Sequence, residues 1–161
     1  MLPQGRGLLT AYLRRRQPVS VLMIDIDAFA AVNTTLGQEG GNRALHTIGA
    51  RLLSKVRASD LVARLEADCF AVLLPDCELH FALLQAEKLC DEVSRDRLRT
   101  GVKSIRVTAS IGAIQLEPHL NTTQLVMDAC AEAVRHAKAA GGYTVRLAGW
   151  VDYAQSEALQ S

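Results

Sequence analysis

The sequence predicts an α/β fold in which a single mixed β-sheet carries helices on both of its faces. Residues 19–26 form a nearly continuous apolar and β-branched run, which is typical of a central strand that is buried on both sides. Two shorter apolar runs, at 61–65 and 69–74, are separated by a few residues, and this spacing favours a β-hairpin. Longer segments lie between and after these runs, and their apolar residues recur every three or four positions, as on amphipathic helices.

Composition and charge indicate one ordinary globular domain. The chain has 161 residues, of which 49% are hydrophobic and 22% are charged, so one sizeable core is expected. Its 18 lysines and arginines against 17 acidic residues give a formal charge of +1, which excludes the strongly basic surface of a general nucleic-acid or membrane binder. The four cysteines lack zinc-site spacing, and no apolar run is long enough for a membrane span or resembles a signal peptide. We therefore expect a cytoplasmic protein with buried free thiols.

The remaining elements follow from hydrophobic periodicity and from the glycines and prolines between the runs. In chain order they are a lead-in helix over 8–16, helices over 28–36 and 42–56 with a glycine hinge between them, a helix over 79–93, a strand over 105–116, a helix over 122–140 and a last strand over 143–147. Residues 1–148 are assigned to the domain, and the polar residues 149–161 to a C-terminal tail or linker. Asp25 follows the central strand, so the functional site is expected where that strand end meets the 66–69 hairpin.

Five short motifs occur in a fixed order along the chain. They are D-x-D-x-F at 25–29 with Asn33 and a glycine group at 37–41 after it, Arg64 to Phe70, L-L-P-D at 73–76, A-S-I-G at 109–112 and A-K-A-A-G at 137–141. In this order and spacing they resemble the GGDEF family of bacterial signalling domains, whose active members are diguanylate cyclases. The resemblance covers residues from about 2 to 147 and implies a palm-like nucleotidyl-cyclase fold.

The resemblance implies a metal site at Asp25 and Asp68. In active members of the family, two Mg²⁺ ions lie between these positions and hold the triphosphate of GTP. Both positions are carboxylates here, and Mg²⁺ is commonly bound by one or two carboxylates together with phosphate oxygens. The alternative interpretation is that the aspartates only cap the structure that follows each strand.

The family signature Gly-Gly-Asp/Glu-Glu-Phe is kept at Asp68 and Phe70 and is altered at Glu66, Ala67 and Cys69. The paired glycines of the family let the backbone take unusual torsions and let substrate lie against it. Glu66 instead brings a negative charge close to the expected triphosphate. Cys69 replaces an acid that active members need, and a thiol is normally neutral at pH 7. We therefore expect none of the signature positions to be catalytically functional.

The GTP contacts that the resemblance implies are half retained. Asn33 matches the asparagine that binds guanine, but Asn42 replaces an aspartate that accepts two hydrogen bonds from the base. Lys138 matches a lysine that contacts phosphate, whereas Gly142 stands where the family usually has arginine. The resemblance thus implies a vestigial GTP site at Asn33, Asn42 and Lys138, in which the cyclase reaction is abolished or nearly so.

A second nucleotide site is better preserved. Arg57 and Asp60 form R-x-x-D at the distance before the signature where family members bind cyclic di-GMP as an inhibitor. The arginine fork matches the Hoogsteen edge of guanine, and the aspartate accepts from its N1 and N2 donors. Lys88 replaces a second arginine of this site, and it keeps the charge but loses the planar group. The alternative interpretation is a local surface ion pair between Arg57 and Asp60.

Three functions remain compatible with these residues. The leading hypothesis is a catalytically inactive GGDEF domain of a cyclic di-GMP pathway, which binds cyclic di-GMP through R-x-x-D, another signalling protein, or both. A weak diguanylate cyclase that converts two GTP to cyclic di-GMP is the alternative, and a protein-interaction domain with a vestigial R-x-x-D is the third. We expect no required cofactor, with Mg²⁺ bound only if Asp25 and Asp68 still hold it. The expected partners are cyclic di-GMP and a signalling protein or domain, with no nucleic acid and no membrane.

Overall fold

The computed structural model describes residues 17–66, 68–117, 120 and 122–148. The predicted lead-in helix at 8–16 and the tail at 149–161 lie outside the described residues, and so does Ala67. In chain order the elements are β1 (Val19–Ile26), α1 (Phe29–Leu53), β2 (Leu61–Glu66), β3 (Cys69–Pro75), α2 (Leu79–Ser94), β4 (Leu98–Thr100), β5 (Lys103–Ile105), β6 (Ala109–Gln115), α3 (Thr123–Ala139) and β7 (Val145–Leu147).

The main sheet has five strands in the order β2-β3-β1-β6-β7. Strand β1 runs antiparallel to both of its neighbours, and β6 and β7 are parallel, so the sheet is mixed, as predicted. The predicted hairpin is also confirmed: β2 and β3 pair antiparallel, with a bulge between Arg64 and Glu66. The central position of β1 explains its nearly continuous apolar sequence.

Helices cover both faces of the sheet, which confirms the predicted architecture. Alternate residues of β1 point to opposite faces. Leu22 and Ile24 pack in one core with Ile48 of α1 and Leu89 of α2, and all four side chains are fully buried. Val21, on the opposite face, belongs to a second core that α3 supplies with Val126, Cys130 and Val134. Full burial of such aliphatic side chains is worth roughly 1.5–3 kcal/mol each. No helix in the described part of the chain has the length and apolar character of a membrane span.

Helix α1 covers the two helices that were predicted over 28–36 and 42–56. It runs from Phe29 to Leu53 and is kinked at Gly37, which has φ 77° and ψ 168°. This region of backbone space is almost restricted to glycine, because any Cβ there is strained. The predicted hinge is therefore confirmed: Gly37 separates two helical segments within Phe29–Leu53, and the second segment ends before residue 56.

The strand predicted over 105–116 is present as β6, but its predicted start is wrong: β6 begins at Ala109, and Ile105 belongs to β5. Strand β5 pairs with β4, which was not predicted, and the two form a small antiparallel sheet of their own. The chain leaves this pairing before Thr108, whose carbonyl oxygen instead accepts a hydrogen bond from the backbone NH of Asp27 (2.9 Å). A short hairpin therefore adjoins the predicted sheet, and Gly101 at its turn, with φ 59°, is the sequence signal for it.

Candidate functional site

The end of β1 and the tip of the β2–β3 hairpin meet at one edge of the main sheet. Asp25 lies directly opposite Cys69 of β3 on one side and Ser110 of β6 on the other. The backbone NH of Ile26 donates to the carbonyl oxygen of Asp68 (3.0 Å), which fixes the hairpin tip against β1. The structure therefore brings together Asp25 and Asp68, the two carboxylates that the sequence pairs as metal ligands.

Lys138 in the last turn of α3 reaches over this edge. Its Nζ lies 2.8 Å from Oδ1 of Asp25 and 3.6 Å from Oδ1 of Asp27, and it donates to the carbonyl oxygen of Ile26 (3.3 Å). Burial lowers the pKa of Lys138, but the hydrogen bond to Asp25 and the attraction of the aspartates outweigh burial, so its pKa is raised. The ammonium group of Lys138 therefore contacts Asp25, a carboxylate that was predicted to bind a metal.

The same ion pair does not lower the pKa of Asp25. Burial is the largest influence on this carboxyl group and raises its pKa, and repulsion from Asp68 and Asp27 acts in the same direction. Lys138 opposes these effects without overcoming them. The site thus concentrates three carboxylates around one ammonium group, and its formal charge is negative.

Asp27 has a structural position that sequence reasoning missed. Its carboxylate accepts hydrogen bonds from Oγ1 of Thr108 (2.7 Å), Oγ of Ser110 (2.6 Å) and the backbone NH of Tyr143 (2.9 Å). Burial raises the pKa of Asp27, but these hydrogen bonds outweigh burial and lower it. Asp27 thereby ties β1 to β6 and to the loop before β7. The serine in the A-S-I-G motif was the available signal for this contact.

The altered signature residues differ in their surroundings. Glu66 is exposed at the end of β2, while Asp68 and Cys69 are half-buried. Burial, and next the negative charges of Asp25, Asp68 and Glu66, raise the pKa of the Cys69 thiol to about 12. Phe70 is buried in the core and faces Gly49 of α1. Cys69 is therefore a neutral thiol, and Phe70 serves packing.

The residues expected to contact GTP are only partly assembled. Asn33 and Asn42 are both exposed on α1, on either side of the kink at Gly37, and Oδ1 of Asn33 lies against Gly41. Gly142 has φ 75°, and a Cβ there would lie 2.9 Å from Oδ2 of Asp27. The position where the family usually has arginine thus has a backbone and surroundings that suit only glycine.

A separate cavity of about 400 Å³ lies between the start of β2, the end of β3 and helix α2. Its lining includes Arg57, Asp60 and Lys88, the three residues assigned to the second nucleotide site, together with Phe81 and Leu84. Both apolar side chains are exposed, Phe81 by 58% and Leu84 by 46%. We call this cavity the R-x-x-D cavity.

Arg57 and Asp60 form an ion pair at the rim of this cavity. Nη2 of Arg57 donates to Oδ1 of Asp60 (2.9 Å) and to the carbonyl oxygen of Pro75 (2.7 Å). The backbone NH of Arg57 donates to Oδ2 of Asp60 (2.8 Å). The arginine side chain is 53% exposed, whereas the aspartate side chain is 1% exposed, so Arg57 covers Asp60. The hydrogen bond to Asp60 is the main cause of a raised pKa of Arg57.

Comparison with known families decides what kind of domain this is. The family model for "Diguanylate cyclase, GGDEF domain" matches residues 6–144, which is most of the chain. The chain belongs to the GGDEF family. This result confirms the resemblance read from the five motifs.

Individual GGDEF proteins are similar in sequence and in structure. Response regulator PleD of Caulobacter vibrioides is 37% identical over 126 residues, which cover 77% of this chain and 28% of PleD. The GGDEF domain of YfiN (TpbB) of Pseudomonas aeruginosa superimposes with a TM-score of 0.83 at 30% identity, covering 98% of this chain and 93% of that one. Diguanylate cyclase SiaD of P. aeruginosa, solved in complex with its activator SiaC, gives a TM-score of 0.80 at 29% identity, covering 89% and 58%. The chain thus spans less than a third of the length of the curated relative PleD.

The carboxylates expected to bind Mg²⁺ are partly engaged by Lys138 in this structure. The carboxylate of Asp25 and the carbonyl oxygen of Ile26 are both bonded to Lys138, and Cys69 holds its proton. Within the ranges that the structure describes, no three His, Cys, Asp or Glu side chains are grouped closely enough to hold a metal. Asp68 is the remaining oxygen ligand of the expected pair, and Mg²⁺ needs near-octahedral oxygen coordination.

Proposed function

We propose that this chain is a catalytically silent GGDEF domain that acts in a cyclic di-GMP pathway by binding cyclic di-GMP in the R-x-x-D cavity. The observation that carries the proposal is the shared lining of this cavity by Arg57, Asp60 and Lys88. These residues come from the segment before β2 and from α2, so they meet only because the chain folds in this way. The family membership supports the choice of ligand.

The cavity has the chemistry that a purine dinucleotide needs. Phe81, Leu84 and Lys88 are spaced three and four residues apart on α2, so they share one face of the helix. The two exposed apolar side chains offer a surface for the flat face of a base. Lys88 and Arg57 supply two positive charges for the phosphates. A volume of about 400 Å³ falls within the usual range for small-molecule sites.

Binding requires one rearrangement, because Arg57 covers the carboxylate of Asp60. Only the guanidinium group, which is half exposed, has to move, because the buried carboxylate of Asp60 keeps the hydrogen bond from the backbone NH of Arg57. A guanine base then replaces both partners: its N7 and O6 accept from Arg57, and its N1 and N2 donate to Asp60. The buried aspartate therefore remains paired in the bound state.

The proposal of catalytic silence depends on three features of the other site. Glu66 places an exposed negative charge at the hairpin tip, the neutral thiol of Cys69 replaces an acid, and Gly142 supplies no positive charge. Without a bound metal, the carboxylates of this site and Glu66 repel a triphosphate. The same groups that would position GTP in a cyclase thus oppose its binding here.

Calorimetric titration with cyclic di-GMP tests the proposal. We expect saturable binding by the chain, loss of binding in Arg57→Ala, and unchanged binding in Arg106→Ala, which removes an exposed arginine outside the cavity. Lys88→Arg should strengthen binding, because it restores the planar group. Equal affinity of the chain and Arg57→Ala, or no binding by the chain, would overturn the proposal.

A weak diguanylate cyclase is the second candidate, favoured by the convergence of Asp25, Asp68 and Lys138 on one sheet edge. It is tested by incubating the chain at high concentration with GTP and Mg²⁺ and assaying for cyclic di-GMP. Product that disappears in Asp68→Ala would support this candidate and contradict catalytic silence. Absence of product, together with cyclic di-GMP binding, would support the effector function.

We also propose that the domain binds a signalling protein in the cytoplasm. The SiaD structure supports the first part, since that relative is solved with its activator SiaC. The four cysteines are all free thiols, which supports a reducing compartment. Size-exclusion chromatography with and without cyclic di-GMP tests whether a partner encoded alongside this chain co-elutes with it. Failure to co-elute in both conditions would count against the protein-binding part alone.

A further inference from the structure

The lining of a small cleft beside α1 includes four arginines. It lies between α1 and the small β4–β5 sheet and has a volume of about 80 Å³. Arg43 and Arg51 come from α1, and Arg97 and Arg99 come from β4 and the residue before it. We call it the arginine cleft. It shares no lining residue with the R-x-x-D cavity.

No carboxylate in the described part of the chain forms an ion pair with an arginine of the cleft. Arg51 donates through Nη1 to the backbone carbonyl oxygens of Val93 and Asp96, both at 3.0 Å. Arg97 donates to the hydroxyl (3.0 Å) and the carbonyl oxygen (3.3 Å) of Ser104.

The other two arginines of the cleft, Arg43 and Arg99, are exposed, and no residue that the structure describes forms a hydrogen bond or ion pair with their side chains. The carboxylate of Asp96, the residue before Arg97, pairs with Arg95 instead (3.4 Å). The backbone and hydroxyl groups thus orient two guanidinium groups and leave the charge of all four uncompensated.

The close approach of α1 and β4 that forms the cleft depends on Gly40. A Cβ at this position would lie 2.7 Å from Cβ of Leu36 and 3.1 Å from Oγ1 of Thr100. Any larger residue would push the small sheet away from the helix. Leu98, between the two arginines of the β4 segment, is buried and anchors this strand in the core. The arginines are therefore held together by the fold.

We propose that the arginine cleft is a binding site for a phosphate group. Four arginines line one cleft of about 80 Å³, and like charges close to one another are stabilised best by an anion with more than one charge. A phosphate monoester carries about −1.5 to −2 charges at pH 7 and has three acceptor oxygens. The guanidinium fork matches two of these oxygens at once, and all four cationic residues of the lining are arginine.

Phosphate titration of the ¹⁵N-labelled chain tests this site, with the arginine Nε–H resonances followed by NMR. Sodium chloride keeps the ionic strength constant, because screening alone shifts exposed charges. We expect saturable shifts at Arg43 and Arg99. Arg43→Gln and Arg99→Gln should each weaken half-saturation roughly tenfold, because each removes a charge-assisted hydrogen bond. Both side chains are exposed and unpaired in the free chain, so these changes leave the fold intact.

Matched variants separate this site from other cations. Arg64→Gln removes an exposed arginine of β2, and Arg57→Gln alters the R-x-x-D cavity; neither should change phosphate half-saturation. Shifts that increase linearly without saturation, or unchanged affinity in Arg43→Gln, would overturn the site. Tighter saturation by succinate than by phosphate would overturn the choice of phosphate.

Two further ligands distinguish the source of the phosphate group. Adenosine monophosphate represents a soluble phosphate ester, and a phosphoserine peptide represents a modified partner protein. Saturation of the Arg43 and Arg99 resonances by either ligand supports the proposal, and saturation by neither overturns it.

Discussion

Nζ of Lys138 lies 2.8 Å from Oδ1 of Asp25, so the last turn of α3 is joined to the end of the central strand by an ion pair. The two residues are far apart in the chain: Asp25 lies one residue before the end of β1, and Lys138 lies in the helix that follows β6. The ammonium group takes up the strand-end oxygens that a divalent metal would need. The same ion pair therefore stabilises the sheet edge and occupies an oxygen of Asp25 that could otherwise bind a metal.

Replacing Lys138 by methionine should raise the pKa of Asp25 further. Burial already raises this pKa, and the variant removes the lysine that opposes the increase while keeping the aliphatic stem. The ¹³C shift of the Asp25 carboxyl group, followed against pH, measures the change. We also expect the free energy of unfolding at pH 7 to fall by about 1–2 kcal/mol, because a charge-assisted hydrogen bond is lost.

The stability loss in Lys138→Met should become smaller at acidic pH. Because the pKa of Asp25 is raised in the folded state, its buried negative charge lowers the free energy of unfolding. This loss disappears as pH falls through the folded pKa and the carboxyl group is protonated. Lys103→Met, which removes an exposed lysine of β5, is the control. An unchanged Asp25 titration in Lys138→Met would contradict the ion pair.

Replacing Asp27 by asparagine should destabilise the fold by roughly 2–3 kcal/mol at pH 7, since donors from Thr108, Ser110 and Tyr143 lose a charged acceptor. The pKa of Asp27 is lowered in the folded state. Its contribution is therefore present above the model-compound pKa of 3.8 and is lost as pH falls below that value through the folded pKa. Urea unfolding from pH 3 to pH 7 measures both effects.

The Asp27→Asn variant should accordingly show a flatter dependence of stability on pH below about pH 4. Asp128→Asn is the matched control, because that exposed aspartate of α3 bonds only the nearby Gln124 side chain (2.7 Å). Equal loss of stability in the two variants would count against a special role of Asp27.

Replacing Gly142 by alanine should lower stability more than the same change at Gly101. Both glycines have positive φ, 75° and 59°, so both variants carry a backbone penalty of about 1 kcal/mol. A Cβ at Gly142 also meets the Asp27 carboxylate at 2.9 Å, whereas nothing lies within 4 Å of a Cβ at Gly101. Thermal unfolding of the two variants compares them, and similar melting temperatures would contradict the steric argument.

The same contact predicts that arginine cannot simply be restored at position 142. Gly142→Arg should destabilise the chain at least as much as Gly142→Ala, and it should not produce GTP binding. A stable Gly142→Arg variant that binds GTP would show that the loop before β7 rearranges around the new side chain.

The main sheet could be predicted from sequence because burial dictates it. An eight-residue strand at the centre, buried almost throughout, must be apolar along its length, and the spacing of two neighbouring runs permits little but a hairpin. Strands β4 and β5 were missed because each has three residues, and such short strands are held by packing against α1 and not by their own pattern.

The site could be predicted only where the residues belong to one motif. The meeting of Asp25 with the hairpin tip follows from strand order, and the family motif supplied Lys138 as a phosphate contact. The bond from Lys138 to the carbonyl oxygen of Ile26 joins residues 112 positions apart, and that from Tyr143 to Asp27 joins residues 116 apart. Local sequence patterns carry no information on contacts between residues so far apart in the chain, so these contacts are seen only in the folded structure.

The thiol of Cys69 should react unusually slowly with iodoacetamide. Its pKa of about 12 leaves on the order of a thousandfold less thiolate at pH 8 than an ordinary cysteine has. Mass spectrometry of the native chain after timed alkylation at pH 8 measures the rate at Cys69, and the unfolded chain in urea gives the reference.

Burial is the main cause of the raised pKa of Cys69, and the charge of Asp25 is the next. Asp25→Asn should therefore speed the native reaction while leaving the unfolded rate unchanged. Asp128→Asn should alter neither rate. If native Cys69 were alkylated as fast as in urea, the thiol would not be protonated and half-buried. The proposal of catalytic silence would then lose one of its supports.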